Sequence, residues 1–332
     1  MNILAIETSC DETAAAVVRG GLHTLSNIIA SQVEYHREYG GVVPEIASRK
    51  HLENIVWVVR RALVEAELDW NKIHAVAVTT GPGLLGALLV GVSTAKAIAY
   101  ARKLPLIACN HLDGHLYALQ ANGQELPFPS VALLASGGHT NLYHMIGHGE
   151  YRLLGQTRDD AVGEAFDKVA RMLKLGYPGG PAIDRLAARG NPAAIDFPRT
   201  YLEKGSLDFS LSGIKTAVLY YVQQNKINPE TDQTVLPDIA AGFQQAVVDV
   251  LVDKTLAAAR QCGVKHILVT GGVASNSLLR RQMAENCQSA GFTLHIPPPI
   301  LCTDNAAMIA CLGYYLYKQG KLADLTLNAY SR

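Results

Sequence analysis

The sequence predicts an α/β protein of two lobes with a duplicated mixed-sheet core. Three observations lead there. The chain opens on a strand, a polar turn and a second strand: Met1 to Ile6, then Glu7-Thr8-Ser9-Cys10-Asp11-Glu12-Thr13, then Ala14 to Arg19. The same pattern returns at Val131 to Ala135, Ser136-Gly137-Gly138-His139-Thr140 and Asn141 to Ile146. Each unit is followed by short apolar runs that lead into helical periods, as in Ala75 to Thr79 before Leu84 to Ala101, and His266 to Thr270 before Ser277 to Gln288. The repeat lies in the pattern, not in residue identity.

Bulk properties fit this reading. A chain of 332 residues, 49% hydrophobic and 17% charged, can bury two sizeable cores. Lys+Arg and Asp+Glu both number 29, so any nucleic-acid contact must come from a local patch. The six cysteines are scattered without a C-x-x-C pair, which predicts buried thiols in a reducing cytoplasm. The N-terminus lacks a basic region and carries Glu7 in its apolar strand, so no signal peptide is expected. The longest uncharged run, Thr79 to Ala95, is broken by Gly and Pro and is too short to span a bilayer.

Between the two units, Tyr39 to Glu45 is expected to be a loop. Leu52 to Leu68 has helical spacing, with Ile55, Val56, Val59, Ala62, Leu63 and Ala66 on one face. Leu106 to Cys109 is a strand that delivers His111. Beyond the second unit, a helix runs to Leu175, the loop Gly176 to Pro181 follows, and Ala182 to Arg189 is helical. Asp208 to Lys215 is rich in turns, Asp238 to Ala259 is a long amphipathic helix, and Ala306 to Leu316 is a last helix.

The first chemical signal is His111-Leu112-Asp113-Gly114-His115. Residues i and i+4 of a helix share a face, so two imidazoles there can grip one metal ion. A third ligand must come from elsewhere, and Asp304, just before the last helix, is the best candidate. Its other reading is a helix N-cap. The general-base position of an H-E-x-x-H protease is here Leu112, and Asp113 lies roughly 200° around the helix from His111, so a zinc protease fits poorly.

Glycine-rich turns supply the second signal. Ser136 to Thr140 allows backbone N–H groups to approach an anion, or is simply a hairpin turn. Gly271-Gly272 lies at the carboxyl end of a strand, where α/β sheets place ligands. Asn276 beyond it either bonds a nucleotide or caps a helix. Gly179-Gly180-Pro181 with Asp184 suits a ribose or an ordinary loop, and Asp167 sits on a helix face beside Lys168. Asp11 and Glu12 share the first turn and suit acid–base or metal work. Together these features describe two lobes around a cleft with a metal candidate at their junction, the layout of nucleotide-handling proteins of the actin and sugar-kinase type.

Nine motifs in order carry a resemblance: Ile6 to Thr13, Gly40 to Glu45, Gly81-Pro82-Gly83, His111 to His115, Ser136 to Thr140, Gly163 to Lys168, Tyr177 to Pro181, Gly271-Gly272-Val273 and Thr303-Asp304-Asn305. Over nearly its whole length the chain resembles the TsaD (Gcp) family of tRNA threonylcarbamoyladenosine transferases. One departure is Asp113, where the family has Glu in H-x-E-G-H. The resemblance implies an actin-like ATPase fold. It implies transfer of threonylcarbamoyl from threonylcarbamoyl-AMP to the exocyclic amine of the adenosine beside the anticodon, in tRNAs reading A-starting codons. It implies that His111, His115 and Asp304 hold one divalent metal, iron with zinc as the alternative. Leu134, Ala135, Ser136, Gly137, Gly138, Asp167, Gly180, Asp184 and Asn276 would hold the adenylate, and Asp11 is the candidate catalytic carboxylate. Implied partners are tRNA, a TsaB-like paralogue and a TsaE-like ATPase, with no membrane. The lobes are expected at 1–108, completed by 306–332, and at 109–305 with the metal and nucleotide loops. The rival functions are a plain actin-like-fold ATPase, which should use carboxylates and magnesium rather than histidines, and a non-catalytic scaffold of a tRNA-modification complex.

Overall fold

β1 (Asn2–Glu7) is buried at every residue, so it lies at the centre of a sheet rather than at an edge. The computed structural model describes residues 1–331. β2 (Glu12–Arg19) pairs antiparallel with β1, and β3 (His23–Ser31) antiparallel with β2. After α1 (Val33–Arg37) and α2 (Pro44–Glu65), β4 (Ala75–Gly81) returns parallel to β1 on its other side. α3 (Leu85–Arg102) then leads to β5 (Leu106–Asn110), parallel to β4. α4 (His111–Leu116) and α5 (Ala118–Ala121) close this segment.

The second sheet repeats the plan. β6 (Ser130–Ala135), β7 (Thr140–Gly147) and β8 (Glu150–Gln156) form an antiparallel meander. Then come α6 (Val162–Met172), α7 (Gly179–Ala187), α8 (Ser212–Gln224) and α9 (Leu236–Cys262). β9 (His266–Thr270) is parallel to β6; after α10 (Ser277–Ala290), β10 (Thr293–His295) is parallel to β9. The chain ends through α11 (Pro299–Cys302) and α12 (Ala306–Lys318). The strand orders are β3-β2-β1-β4-β5 and β10-β9-β6-β7-β8, one connectivity used twice.

Two compact units result, Met1–Leu126 with the segment from Ile300 onward, and Pro127–Pro299. In the first, Leu4 and Ile6 of β1 pack with Ile55, Val58, Val59 and Ala62 of α2 and Val92 and Ala95 of α3. α12 covers the opposite face, where a Cβ on Gly313 would stand 2.8 Å from the Cβ of Ala77 in β4. This is a sheet covered on both sides, and β1 accordingly reads as a nearly continuous apolar run. In the second unit, α6 and α9 meet through Phe166 and Phe243, edge to face at 5.1 Å.

The structure moves the expected boundaries. Residues 109–126 and 300–305 join the first unit, not the second. α4 is held there because Gly114 lets it approach α12 closely: a Cβ would lie 2.5 Å from Ile309 Cδ1. Three strands go beyond the sequence reading. β3 and β8 are partly exposed edge strands, held by backbone pairing rather than by an apolar face, so they show no clean alternation. β10 has only three residues. α2 begins at Pro44, inside the expected loop, because proline suits the first helical position. The face turned to the sheet carries Val58, while Val56, expected on that face, is exposed.

Candidate functional site

β1, β4 and β5 run parallel, and their carboxyl ends carry Glu7, Thr79 and Asn110. Such an edge is where α/β sheets place ligands. Asn110 caps α4, accepting from the N–H groups of Leu112 and Asp113, so the helix starts at His111. Its own Nδ2 donates to the Tyr330 hydroxyl at 3.0 Å. His111 and His115 then sit one turn apart with ring centroids at 4.8 Å. Asp304 reaches both: its Oδ1 is 3.6 Å from His111 Nε2 and 3.2 Å from His115 Nε2. The N-cap of α12 is Asn305, which accepts from Met308 N–H. Asp304 is therefore not the cap, and its carboxylate faces the histidines.

These three residues fit a metal. Among the described residues they are the one His/Cys/Asp/Glu group of this kind, with ligand atoms all within 4.8 Å of one another. Two donors each about 2.1 Å from one ion lie about 3.0–3.4 Å apart at tetrahedral or octahedral angles. The Asp304–histidine distances are close to that. Two imidazoles and one carboxylate suit iron or zinc rather than the all-oxygen sets of magnesium. Asp113 is not in the group.

Around this set buried carboxylates and His111 shift one another. Burial works against protonation of His111, but Asp304 and Glu7 outweigh it and push the ring up to about 9. Glu7 is fully buried; burial raises its pKa, yet His111, with help from Thr79, holds it below the usual value. Glu12 is raised well above the carboxylate range by burial, then by the charges of Asp11 and Asp304. Several acidic groups are thus crowded beside two histidines, a field that favours a bound cation. Asp11 is buried in the same turn at 7% exposure.

In the second unit, the corresponding edge carries the glycine-rich turns. Leu134 and Ala135 end β6, and Ser136, Gly137 and Gly138 follow with open space around both glycines. α6 begins against this turn: Gly163 N–H donates to Ser136 O at 3.1 Å, and Val162 N–H to Thr140 Oγ1 at 2.9 Å. Gly271 follows β9 beside it, where a Cβ would be 2.4 Å from Ala135 O. Asp167 accepts from Gly179 N–H at 2.7 Å and so ties the Gly179-Gly180 turn to α6, leaving the space around Gly180 open. Asn276 caps α10 through Leu279 N–H and donates to Gln244 at 2.9 Å. Asp184 accepts from Ser277 Oγ at 2.7 Å and from Ser277 N–H at 3.2 Å. The structure thus gathers β6, β9, α6, α7 and α10 around turns that expose backbone donors.

A family profile described as TsaD, tRNA N6-adenosine threonylcarbamoyltransferase, matches residues 23–311. The chain belongs to the TsaD family. Curated relatives of that name include one from Geobacter metallireducens, 57% identical over 99% of this chain and 96% of its own. Another, from Clostridioides difficile, is 54% identical over 98% of this chain and 96% of its own. Among solved structures, full-length HypF in a phosphate- and nucleotide-bound form aligns with a TM-score of 0.65 at 15% identity, over 96% of this chain and 56% of that one. The activator of 2-hydroxyisocaproyl-CoA dehydratase from Clostridium difficile aligns with a TM-score of 0.52 at 14% identity, over 97% and 96%. These likenesses show a shared fold, the actin-like α/β architecture with a duplicated mixed sheet. As a TsaD-family member the chain is a transferase that modifies tRNA. No helix among the described residues is long and apolar enough to cross a membrane.

In this TsaD-family chain all three metal candidates lie in the first unit, whereas the sequence reading gave them to the second. The reason is packing: α4 and the start of α12 are pinned to the first sheet. Two further residues belong to the site's surroundings. Glu7 is marked in the sequence only as a lone carboxylate ending an apolar strand. His51, fully buried on α2, braces the first polar turn: its Nε2 donates to Cys10 O at 2.9 Å, and its Nδ1 accepts from Thr13 Oγ1 at 2.8 Å.

Burial lowers the pKa of His51 below its ordinary 6.5, although the Cys10 carbonyl works the other way. As the pH falls past 6.5 the unfolded chain takes up this proton first. The group's contribution is therefore full above that value and is lost as the pH drops toward the folded pKa. His51→Gln is expected to lose less stability than the parent between about pH 7.5 and 5.5, read from urea midpoints at each pH. An identical pH slope in the two proteins would refute the assignment.

Proposed function

We propose that this chain moves a threonylcarbamoyl group from threonylcarbamoyl-AMP to the exocyclic amine of the adenosine beside the anticodon, in tRNAs reading A-starting codons, in the cytoplasm. The observation that carries the reading is the His111, His115 and Asp304 cluster at the carboxyl edge of a duplicated sheet, in a chain of this family. The amine nitrogen attacks the carbamoyl carbonyl, the carbon–oxygen bond to phosphate breaks, AMP leaves and the nitrogen loses a proton. The open backbone at Gly137 and Gly138 suits the adenylate's phosphate, and the open space at Gly180 its sugar. Asp11 takes the proton of the attacking amine. His111, His115 and Asp304 would hold a divalent ion, iron or alternatively zinc, and that ion would supply Lewis acidity to a carbonyl or phosphate oxygen.

The test supplies the purified chain and its partners with threonylcarbamoyl-AMP and unmodified tRNA, and weighs the nucleosides by mass spectrometry. A threonylcarbamoyl gain on adenosine is expected, and Asp11→Asn should slow it by about 100-fold or more at unchanged fold. No gain, beside a relative that works under the same conditions, would turn the reading toward a scaffold or another acceptor. An Asp11→Asn protein at full rate would remove Asp11 from the mechanism.

The proposed partners include a TsaB-like paralogue and a TsaE-like ATPase. A surface for the paralogue is available on α2 and α3, which pack together and both expose apolar side chains. α2 shows Leu52, Val56, Trp57 and Val64, and α3 shows Leu85 and Leu89, all between 41% and 65% exposed. Apolar stripes of this kind mark protein contacts. Replacing Val56 and Trp57 together by Asp is expected to weaken the paralogue complex by about 30-fold or more, as loss of an aromatic anchor does. Unchanged affinity in a titration of the two proteins would place the contact elsewhere.

A further inference from the structure

We infer that Glu7 is a positioning residue for the metal centre: its carboxylate holds the His111 ring in the tautomer and orientation that turn Nε2 toward the ion. The inference rests on the reading of His111, His115 and Asp304 as ligands. Glu7 ends β1 with 0% of its surface exposed. A buried carboxylate persists only where donors surround it, and each partner here is one. Oε1 accepts from Ser9 N–H at 2.5 Å, while Oε2 accepts from the Thr79 hydroxyl at 2.6 Å and from His111 Nδ1 at 3.1 Å. A proton on Nδ1 leaves the lone pair on Nε2, the atom that faces Asp304.

The sheet sets this geometry. β1 and β4 pair in parallel register up to Ile6 opposite Val78, so Glu7 and Thr79 come next, side by side. β4 and β5 continue the register with Thr79 opposite Cys109, two residues before His111. The carboxylate is thus fixed by its own strand, by Thr79 of the neighbouring strand β4 and by the turn at Ser9, with His111 delivered to it by β5. Ser9 Oγ stands 3.1 Å from the same Nδ1 and adds a second contact on that side of the ring. Glu7 itself is outside the ligand group. A carboxylate behind a ligating histidine orients the ring and raises its basicity, and removing such partners costs roughly 10- to 100-fold in metal affinity.

Glu7 also anchors the turn at Ser9, so a purely structural role must be told apart. That role predicts a less stable protein whose zinc affinity is intact. The experiment uses the full chain with zinc alone as the probe, titrated against a chelator. The parent should bind one zinc and Asp304→Ala should bind it far more weakly. Glu7→Gln keeps the volume and an oxygen acceptor, and should bind zinc about 10- to 100-fold more weakly than the parent. Affinity within twofold of the parent overturns the inference. A parent that binds no zinc, or an Asp304→Ala chain that binds it as well as the parent, overturns the ligand reading beneath it. The unmutated chain gives a second measurement, independent of whether Glu7→Gln folds. In the zinc-loaded protein with 15N-labelled histidine, His111 should coordinate through Nε2 and keep a slowly exchanging proton on Nδ1. Coordination through Nδ1, or an Nδ1 without a proton, overturns the inference.

Discussion

Asp304→Ala is expected to lose its metal by more than about 100-fold in affinity and to stop transferring threonylcarbamoyl. One of three ligands goes, which should exceed the 10- to 100-fold cost of losing an outer partner. The fold should survive, because Asn305 and not Asp304 caps α12. The substitution removes a carboxylate that is partly exposed and leaves the apolar face of the helix intact. Metal content and thermal midpoint measured on one preparation separate the two effects. Unchanged metal content with a normal midpoint would end the ligand assignment. A collapsed midpoint would show that Asp304 holds the helix start by contacts beyond the cap.

Gly271→Ala should produce the largest effect in the second unit. Gly271 has φ 88° and ψ 162°, a region essentially reserved for glycine. That backbone cost is about 1–3 kcal/mol. A methyl group would also have to stand 2.4 Å from Ala135 O, a rigid backbone atom, so β6 and the exit of β9 must separate. Ala135 leads directly into Ser136-Gly137-Gly138. The expected result is a destabilised protein whose KM for the proposed donor, threonylcarbamoyl-AMP, rises more than its kcat falls. Gly272→Ala is the control: nothing lies within 4 Å of its Cβ position, and its stability should stay within about 0.5 kcal/mol. Equal effects of the two substitutions would mean that the Gly271 approach does not shape the turn.

The candidate site was legible in the sequence where chemistry and spacing coincide. His111 and His115 need only helical geometry to share a face, and α4 supplies it. The turns Ser136 to Thr140 and Gly271-Gly272 follow from their glycines. Two ambiguities could not be settled that way. Asp304 and Asn305 are both good helix caps, and only their positions in space show that Asn305 caps while Asp304 meets the histidines. Asn276 likewise caps α10, yet it also lies in a network with Asp184 and Gln244 that no spacing predicts.

By itself the sequence determined the α/β class, the duplicated strand–turn–strand plan and the residue types of the candidate metal set. These are properties of local periodicity and of individual side chains, which need no distant partner to be read. The tertiary structure alone decided that β3 and β8 are strands, because edge strands are held by backbone bonds to neighbours rather than by an apolar face. It also decided that α4 and Asp304 belong to the first unit and that Glu7 stands behind His111. Those contacts join residues more than a hundred positions apart, and they exist only once the parallel register of β1, β4 and β5 has brought three chain segments to one edge.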